Sequence, residues 1–273
     1  MAFRAPRYSY VHAAREVGVA WITVSDTADA DFPVDNLIDD RAGTIFKWSA
    51  SVVNPTIDID LGAGFDTGIS RLIIPSNHNI EQITVQDDDA ADFVGATTLH
   101  AADTSPVAGT LIDIEFDTGN STQRYIRITI TGTAQYSLSQ IILTKIIFDS
   151  ATAPGPNLVA SPDGHKANAS RLIQQTGLSP TTPHGAQQRV LDYLYESPLS
   201  GSDLTDMEAF IDSVGMSRPF YVDPASFSTP PETDEPALWM KFADKPRSQN
   251  SILVPMIAAR SKTFELSLIE SLD

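Results

Sequence analysis

The chain has 273 residues, of which 42% are hydrophobic and 19% charged, and its formal net charge is −17. That length allows two domains with a core each, and the balance is that of an ordinary globular protein. An acidic surface argues against nucleic acid as a direct partner, and the absence of cysteine excludes disulfides and thiolate metal sites.

The N-terminus carries Arg4, Arg7 and Arg15 without an apolar stretch of signal-peptide length, so the expectation is a chain made in a cytoplasm with no export signal. No apolar run is long enough for a membrane span. The first patterned segment is Asp35-Asn-Leu-Ile-Asp-Asp-Arg-Ala-Gly-Thr-Ile-Phe-Lys-Trp-Ser49, a polar turn that leads to Trp48.

From Thr56 to Phe148 the hydrophobic period is two. Strands are predicted at Thr56–Leu61, Arg71–Pro75, Gln82–Gln86, Leu111–Phe116, Tyr125–Thr131 and Gln140–Phe148. Turn clusters separate them at Gly62-Ala-Gly64, Asp87-Asp-Asp89, Gly109 and Asp117-Thr-Gly-Asn120. Short alternating strands at this spacing argue for an antiparallel sandwich. The stretch Ser150-Ala-Thr-Ala-Pro-Gly-Pro-Asn157 reads as a linker, which divides the chain into domains 1–150 and 151–273.

Beyond the linker, strands are predicted near Ser170–Gln174, Gln187–Glu196, Pro219–Val222, Leu238–Phe242, Ile252–Pro255 and Thr263–Leu272. A helix is predicted over 203–214, capped by Ser202, with Leu204, Met207, Ile211 and Val214 on one face and Gly215 as its stop. The fold class is therefore all-β with one short helix.

The turn to Trp48 followed by the strand Thr56–Leu61 resembles the start of the discoidin-like (galactose-binding-like) jelly roll. That resemblance implies a binding or docking domain, a core role for Trp48, and a structural Ca²⁺ held in the turn by Asp39 and Thr44. It also points to loops at one end of the sandwich for sugars, where Asn77, His78 and Asn79 are the polar candidates.

The second domain resembles the tail-tube-like β domains of bacteriophage distal-tail and minor tail proteins. The resemblance rests on Arg189-Val-Leu-Asp-Tyr-Leu-Tyr195, the helix, Gly215-Met-Ser-Arg-Pro-Phe-Tyr-Val-Asp-Pro224, Ala237-Leu-Trp-Met-Lys-Phe242 and Phe264-Glu-Leu-Ser-Leu-Ile-Glu-Ser-Leu272. It implies a structural protein of a phage tail tip or baseplate, located in the virion and assembled in the host cytoplasm. The partners implied are further copies in a cyclic oligomer, tail-tube, hub and tape-measure proteins, and a host-surface glycan. Arg218, Phe220, Trp239 and Phe264 are then assembly or core residues, as Trp48 is in the first domain.

The alternative reading is a carbohydrate-binding lectin, and a third is an accessory domain of a polysaccharide-active enzyme whose catalytic partner lies elsewhere. Catalysis is not expected. His12, His78, His100, His165 and His184 are in no metal-ligand spacing, and no nucleophile motif or phosphate loop occurs. The acids Asp87, Asp88, Asp89 and Asp92 lack the alternation of a calcium loop, and read as a solvated turn.

Overall fold

The computed structural model describes residues 7–9, 13–14, 18, 21–39, 41, 43–63, 65, 68–103, 106–147, 163–167, 187–215, 220–223, 238–243, 247–250 and 261–270. They are mostly antiparallel β-structure with one long α-helix. The chain divides into two compact units, one formed by Val11–Ile146 and the other by Met1–Tyr10 with Ile147–Leu272.

This division differs from the expected 1–150 domain at the N-terminus. Arg7–Ser9 is a strand that pairs antiparallel with Phe220–Asp223, placing Arg7 opposite Asp223. Their side chains form an ion pair of 2.6 Å with 12% and 6% exposure. Charges so well buried are tolerable only when paired, and a partner this far along the chain leaves no local pattern.

In the unit Val11–Ile146 a five-stranded sheet has the order Ile22–Val24, Thr56–Asp60, Tyr125–Ile130, Ile83–Asp88, Thr97–Asp103. A three-stranded sheet has the order Ile142–Thr144, Arg71–Ile74, Ile112–Glu115. The alternation of Tyr125–Ile130 buries Ile126, Ile128 and Ile130. Register then sets Ile126 against Ile59, and Ile128 against both Ile57 and Val85, so the apolar residues of three strands meet on one face. Leu72, Ile74, Ile112, Ile114 and Leu143 of the smaller sheet join the same core. Each such burial contributes about 1.5–3 kcal/mol.

On the opposite face of the larger sheet the residues are polar. Arg127 lies directly across from Asp58, bonds both its carboxylate oxygens at 2.7 Å, and sits 4.0 Å from the Phe93 ring centroid. Arg124 bonds Asp60 in the same forked way.

Several predicted boundaries move for local reasons. The run expected as one strand over Gln140–Phe148 is Ile142–Thr144 and Ile146–Ile147, because Ser70 intervenes: its N–H donates to Thr144 O at 3.0 Å and its Oγ accepts Ile146 N–H at 3.1 Å. Asp87 and Asp88 are not turn residues; they extend the strand Ile83–Asp88, which pairs with the unpredicted strand Thr97–Asp103. Register shifts around Val85 disturb that ladder, and Thr97–Asp103 shows no clean alternation in its sequence.

In the other unit an eight-stranded sheet includes Arg7–Ser9, Phe220–Asp223, Leu238–Phe242, Ser261–Glu270, Gln187–Ser200 and Asp163–Ala167 as successive neighbours, with Arg247–Asn250 also paired to Ser261–Glu270. Gln187–Ser200 runs against Ser261–Glu270 with an irregularity between Tyr195 and Leu199. Pro198, which has no N–H to give a ladder, lies within that break.

The helix is Gly201–Val214. Leu204, Met207, Phe210 and Val214 are buried, while Ile211, expected to face the sheet, is only half-buried. Phe210 takes the central place, edge-on to Phe220 at 4.8 Å and 5.5 Å from Phe242. Gly215 ends the helix with φ +58°, a left-handed conformation that suits glycine, and its N–H reaches Ile211 O at 3.0 Å. The linker at 150–157, the strands expected near Ser170–Gln174 and Ile252–Pro255, and Arg218 lie outside the described residues.

Candidate functional site

Within the Val11–Ile146 unit, segments that are far apart in sequence are joined into a continuous row. Ala28 bridges to Trp48, Lys47 pairs with Ser137, Leu138 bridges to His78, and Gly109 N–H donates to His78 O at 3.1 Å. These short ladders knit 26–32, 46–50, 135–138, 76–80 and 107–110 into one connected row, the crown. Within it the Trp48 indole is fully buried and meets Phe46 edge-on at 4.6 Å. It is core and offers no face to a ligand.

The three sequence candidates for sugar binding do lie in this crown, but they differ in what their side chains do. Asn79 is exposed, yet it clamps the neighbouring segment: Nδ2 donates to Gln135 O at 3.1 Å and Oδ1 accepts Ser137 N–H at 2.7 Å. Asn77 is exposed beside it. His78 is 7% exposed and both ring nitrogens are engaged by backbone, Nε2 with Thr110 O at 2.6 Å and Nδ1 with Ile80 N–H at 3.1 Å. Burial holds its imidazole below the ordinary range, partly opposed by the Thr110 carbonyl.

Sequence reasoning missed Gln135, which is exposed and donates from Nε2 to Trp48 O at 2.9 Å. It also missed Thr110 and Ser137, whose backbone groups hold His78 and Asn79. The one local signal for this part of the crown is Gly132. Its φ is +125°, and a Cβ there would stand 2.5 Å from the Tyr136 hydroxyl. Val107, two residues before Gly109, and Val53, which pairs with Thr133 two residues before Gln135, are 61% and 68% exposed.

At the calcium turn the structure brings Asp39 and Thr44 together directly. Thr44 Oγ1 lies 2.7 Å from Asp39 Oδ2, and Asp39 Oδ1 accepts Arg41 N–H at 2.9 Å. Gln140 Nε2 approaches the same oxygen at 3.4 Å. In this arrangement the loop's own donors, with Gln140, engage both carboxylate oxygens of Asp39. Among the described residues no group of three or more His, Cys, Asp or Glu side chains could hold a metal ion.

The acidic run is dispersed by strand geometry. Asp87 points into the sandwich opposite Ile126, whereas Asp88 accepts the N–H groups of Ala90 and Gly95 at 3.1 and 3.2 Å. Asp89 and Asp92 are exposed.

In the other unit Phe220 is buried in the aromatic cluster with Phe210 and Phe242. The Trp239 backbone pairs with Tyr221, and that of Phe264 with Tyr195 and Ser248. The side chains of Trp239 and Phe264 fall outside the described residues.

No protein-family model and no curated protein match the chain. Solved structures do resemble it. One is chitosan-binding module 1 from the chitosanase/glucanase of Paenibacillus sp. IK-5, at 21% identity over 49% of this chain and 98% of that one, with a TM-score of 0.41. Another is the family 32 carbohydrate-binding module of Clostridium perfringens NanJ in complex with galactose, at 14% identity over 51% and 99%, with a TM-score of 0.39. The CBM32-1 and CBM32-2 domains of Clostridium perfringens ZmpB share 10% identity over 50% and 36%, with a TM-score of 0.42.

These neighbours are carbohydrate-binding modules where phage tail proteins were expected. That finding overturns the tail-tip or baseplate reading, together with its virion location, its cyclic ring and its tail-tube, hub and tape-measure partners. The physical reason for the error is that strand, helix and strand order, with short motifs such as the one around Phe220, describes packing and not a partner.

Proposed function

We propose that the unit Val11–Ile146 is a non-catalytic jelly-roll carbohydrate-binding module and that the crown is its sugar site. The observation that carries this reading is the fixed, exposed pair of amides, Asn79 and Gln135, each anchored by one of its amide hydrogens to a neighbouring crown segment. An amide both donates and accepts, as a sugar hydroxyl requires, and the remaining hydrogen and lone pairs of each are left for a ligand. Anchoring removes the rotamer entropy that a long polar side chain would otherwise lose on binding. Val107 and Val53 supply apolar surface suited to the C–H face of a pyranose.

The charge of −17 selects the class of glycan. A polyanionic polymer would be repelled, so the ligand is a neutral or amine-bearing saccharide. The test is calorimetric titration of the full chain with neutral, amino and uronic oligosaccharides. Binding to the first two classes, weakened at least about tenfold by Gln135→Ala, is expected; that factor is about 1.4 kcal/mol. Binding to none, or binding that ignores both Gln135→Ala and Asn79→Ala, overturns the proposal.

A further inference from the structure

We propose that His78 is a proton-operated latch within the crown and that sugar binding requires its neutral Nε2–H tautomer. This rests on the carbohydrate-binding reading above, and it changes the role of His78 from a ligand contact to a positioning residue.

The tautomer follows from the partners. Ile80 N–H can only donate, so Nδ1, 3.1 Å away, presents its lone pair; Thr110 O can only accept, so Nε2, 2.6 Å away, carries the hydrogen. The same residue's backbone ties the crown together. His78 N–H donates to Ser76 O at 3.0 Å, its carbonyl accepts from Gly109, and it bridges to Leu138. The loop 76–80 that presents Asn77 and Asn79 is thus shaped around a single imidazole.

A proton arriving from solvent binds the Nδ1 lone pair. The acceptor for Ile80 N–H is then gone, and two N–H donors oppose each other in a buried space. The segments tied to His78, 76–81, 107–110 and 135–138, contain two other ionisable side chains, the exposed Glu81 and the Tyr136 phenol, and the phenol is neutral wherever an imidazole titrates. The imidazolium therefore lacks a buried counter-charge, and burial disfavours it further. Relief comes by the loop moving outward, which carries Asn79 away from Gln135 and Ser137.

The experiment combines binding and NMR on the full chain. The probe is whichever neutral trisaccharide of galactose, glucose or N-acetylglucosamine binds most tightly. Imidazole ¹⁵N shifts should report the Nε2–H form near neutrality. Kd should rise by up to about tenfold per pH unit below the His78 midpoint, the limit for a one-proton linkage. The amide peaks of Asn79, Ile80 and Gly109 should titrate with that midpoint while those of Ile126 and Ile128 stay still. His78→Asn keeps an acceptor for the N–H two residues on and does not titrate, so its Kd should be flat over the same range.

A wild-type Kd unchanged through the His78 titration, or pH dependence retained in His78→Asn, overturns the latch. If no trisaccharide binds at any pH, the carbohydrate reading falls, and the amide peaks alone decide the latch: co-titration supports it and its absence overturns it. Those wild-type peaks decide equally if His78→Asn does not fold.

Discussion

Asn79 and Ser137 hold each other twice: Asn79 Oδ1 accepts Ser137 N–H at 2.7 Å, and Ser137 O accepts Asn79 N–H at 3.2 Å. With the bond from Asn79 Nδ2 to Gln135 O, one side chain fixes a turn that lies far from it in sequence. Asn79→Ala should therefore lose about 2 kcal/mol of stability, near 1 kcal/mol for each side-chain bond. Asn79→Asp should lose less, since it keeps the acceptor for Ser137 and forfeits only the donor. Chemical denaturation of both variants checks the order; equal losses would mean that the Ser137 bond carries no weight.

Asp87 is buried with one oxygen accepting the Ser121 hydroxyl, while its other oxygen has no partner among the described residues. Burial pushes its carboxyl above the ordinary range, the Ser121 bond opposes this, and neighbouring Asp88 adds to it. A raised folded-state value means that the native state holds the proton longer than the unfolded chain does. Stability then falls as pH rises from the ordinary carboxylate value through the folded one. Asp87→Asn should melt higher than the parent at neutral pH, and the two should converge in acid. Melting curves across pH check this; a variant that melts lower at neutrality would show a charged Asp87 in a stabilising role.

Gly132 and Asn54 exchange hydrogen bonds, Asn54 N–H to Gly132 O at 2.9 Å and Gly132 N–H to Asn54 Oδ1 at 2.8 Å. Because of its φ and the nearby Tyr136 hydroxyl, Gly132→Ala must strain the backbone and displace a buried ring. A loss of about 2–3 kcal/mol is expected, in the range of a residue forced into a sparsely populated backbone region. Equilibrium unfolding measures it, and a loss under about 0.5 kcal/mol would show that the turn relaxes freely.

Phe210→Ala should cost about 3–5 kcal/mol, as truncating a buried aromatic does. Ile211→Asp, at a half-buried position, should cost clearly less. Thermal unfolding of the two variants decides which of these adjacent residues faces the aromatic cluster; the reverse order would rotate the helix from the arrangement in which Phe210 contacts Phe220.

The alternation of Ile57 with Ile59, and of Ile126 with Ile128 and Ile130, was legible because burial on one face imposes a period that each strand carries by itself. The helix was legible for the same reason: Leu204, Met207 and Val214 are buried and Ile211 packs against their cluster, but Phe210, which also fits an apolar stripe, was left out of the predicted face. Asp87 shows the limit of such reading. Strand parity with Val85 would turn it inward, but its charge argued for a turn, and only pairing with the distant strands Tyr125–Ile130 and Thr97–Asp103 extends the strand to include it.

The residue pattern by itself determined the β-rich class, most strands of the two sheets that share a core, and the helix, because these follow from local propensity and the water-avoidance of nearby residues. Tertiary structure alone decided that Arg7 belongs with Asp223, that His78 is a buried clamp and that Asn79 meets Gln135 and Ser137. Those relations are set by which strands pair and in what register, and the free energy that fixes the register comes from the whole core at once. No stretch short enough to show a period contains it.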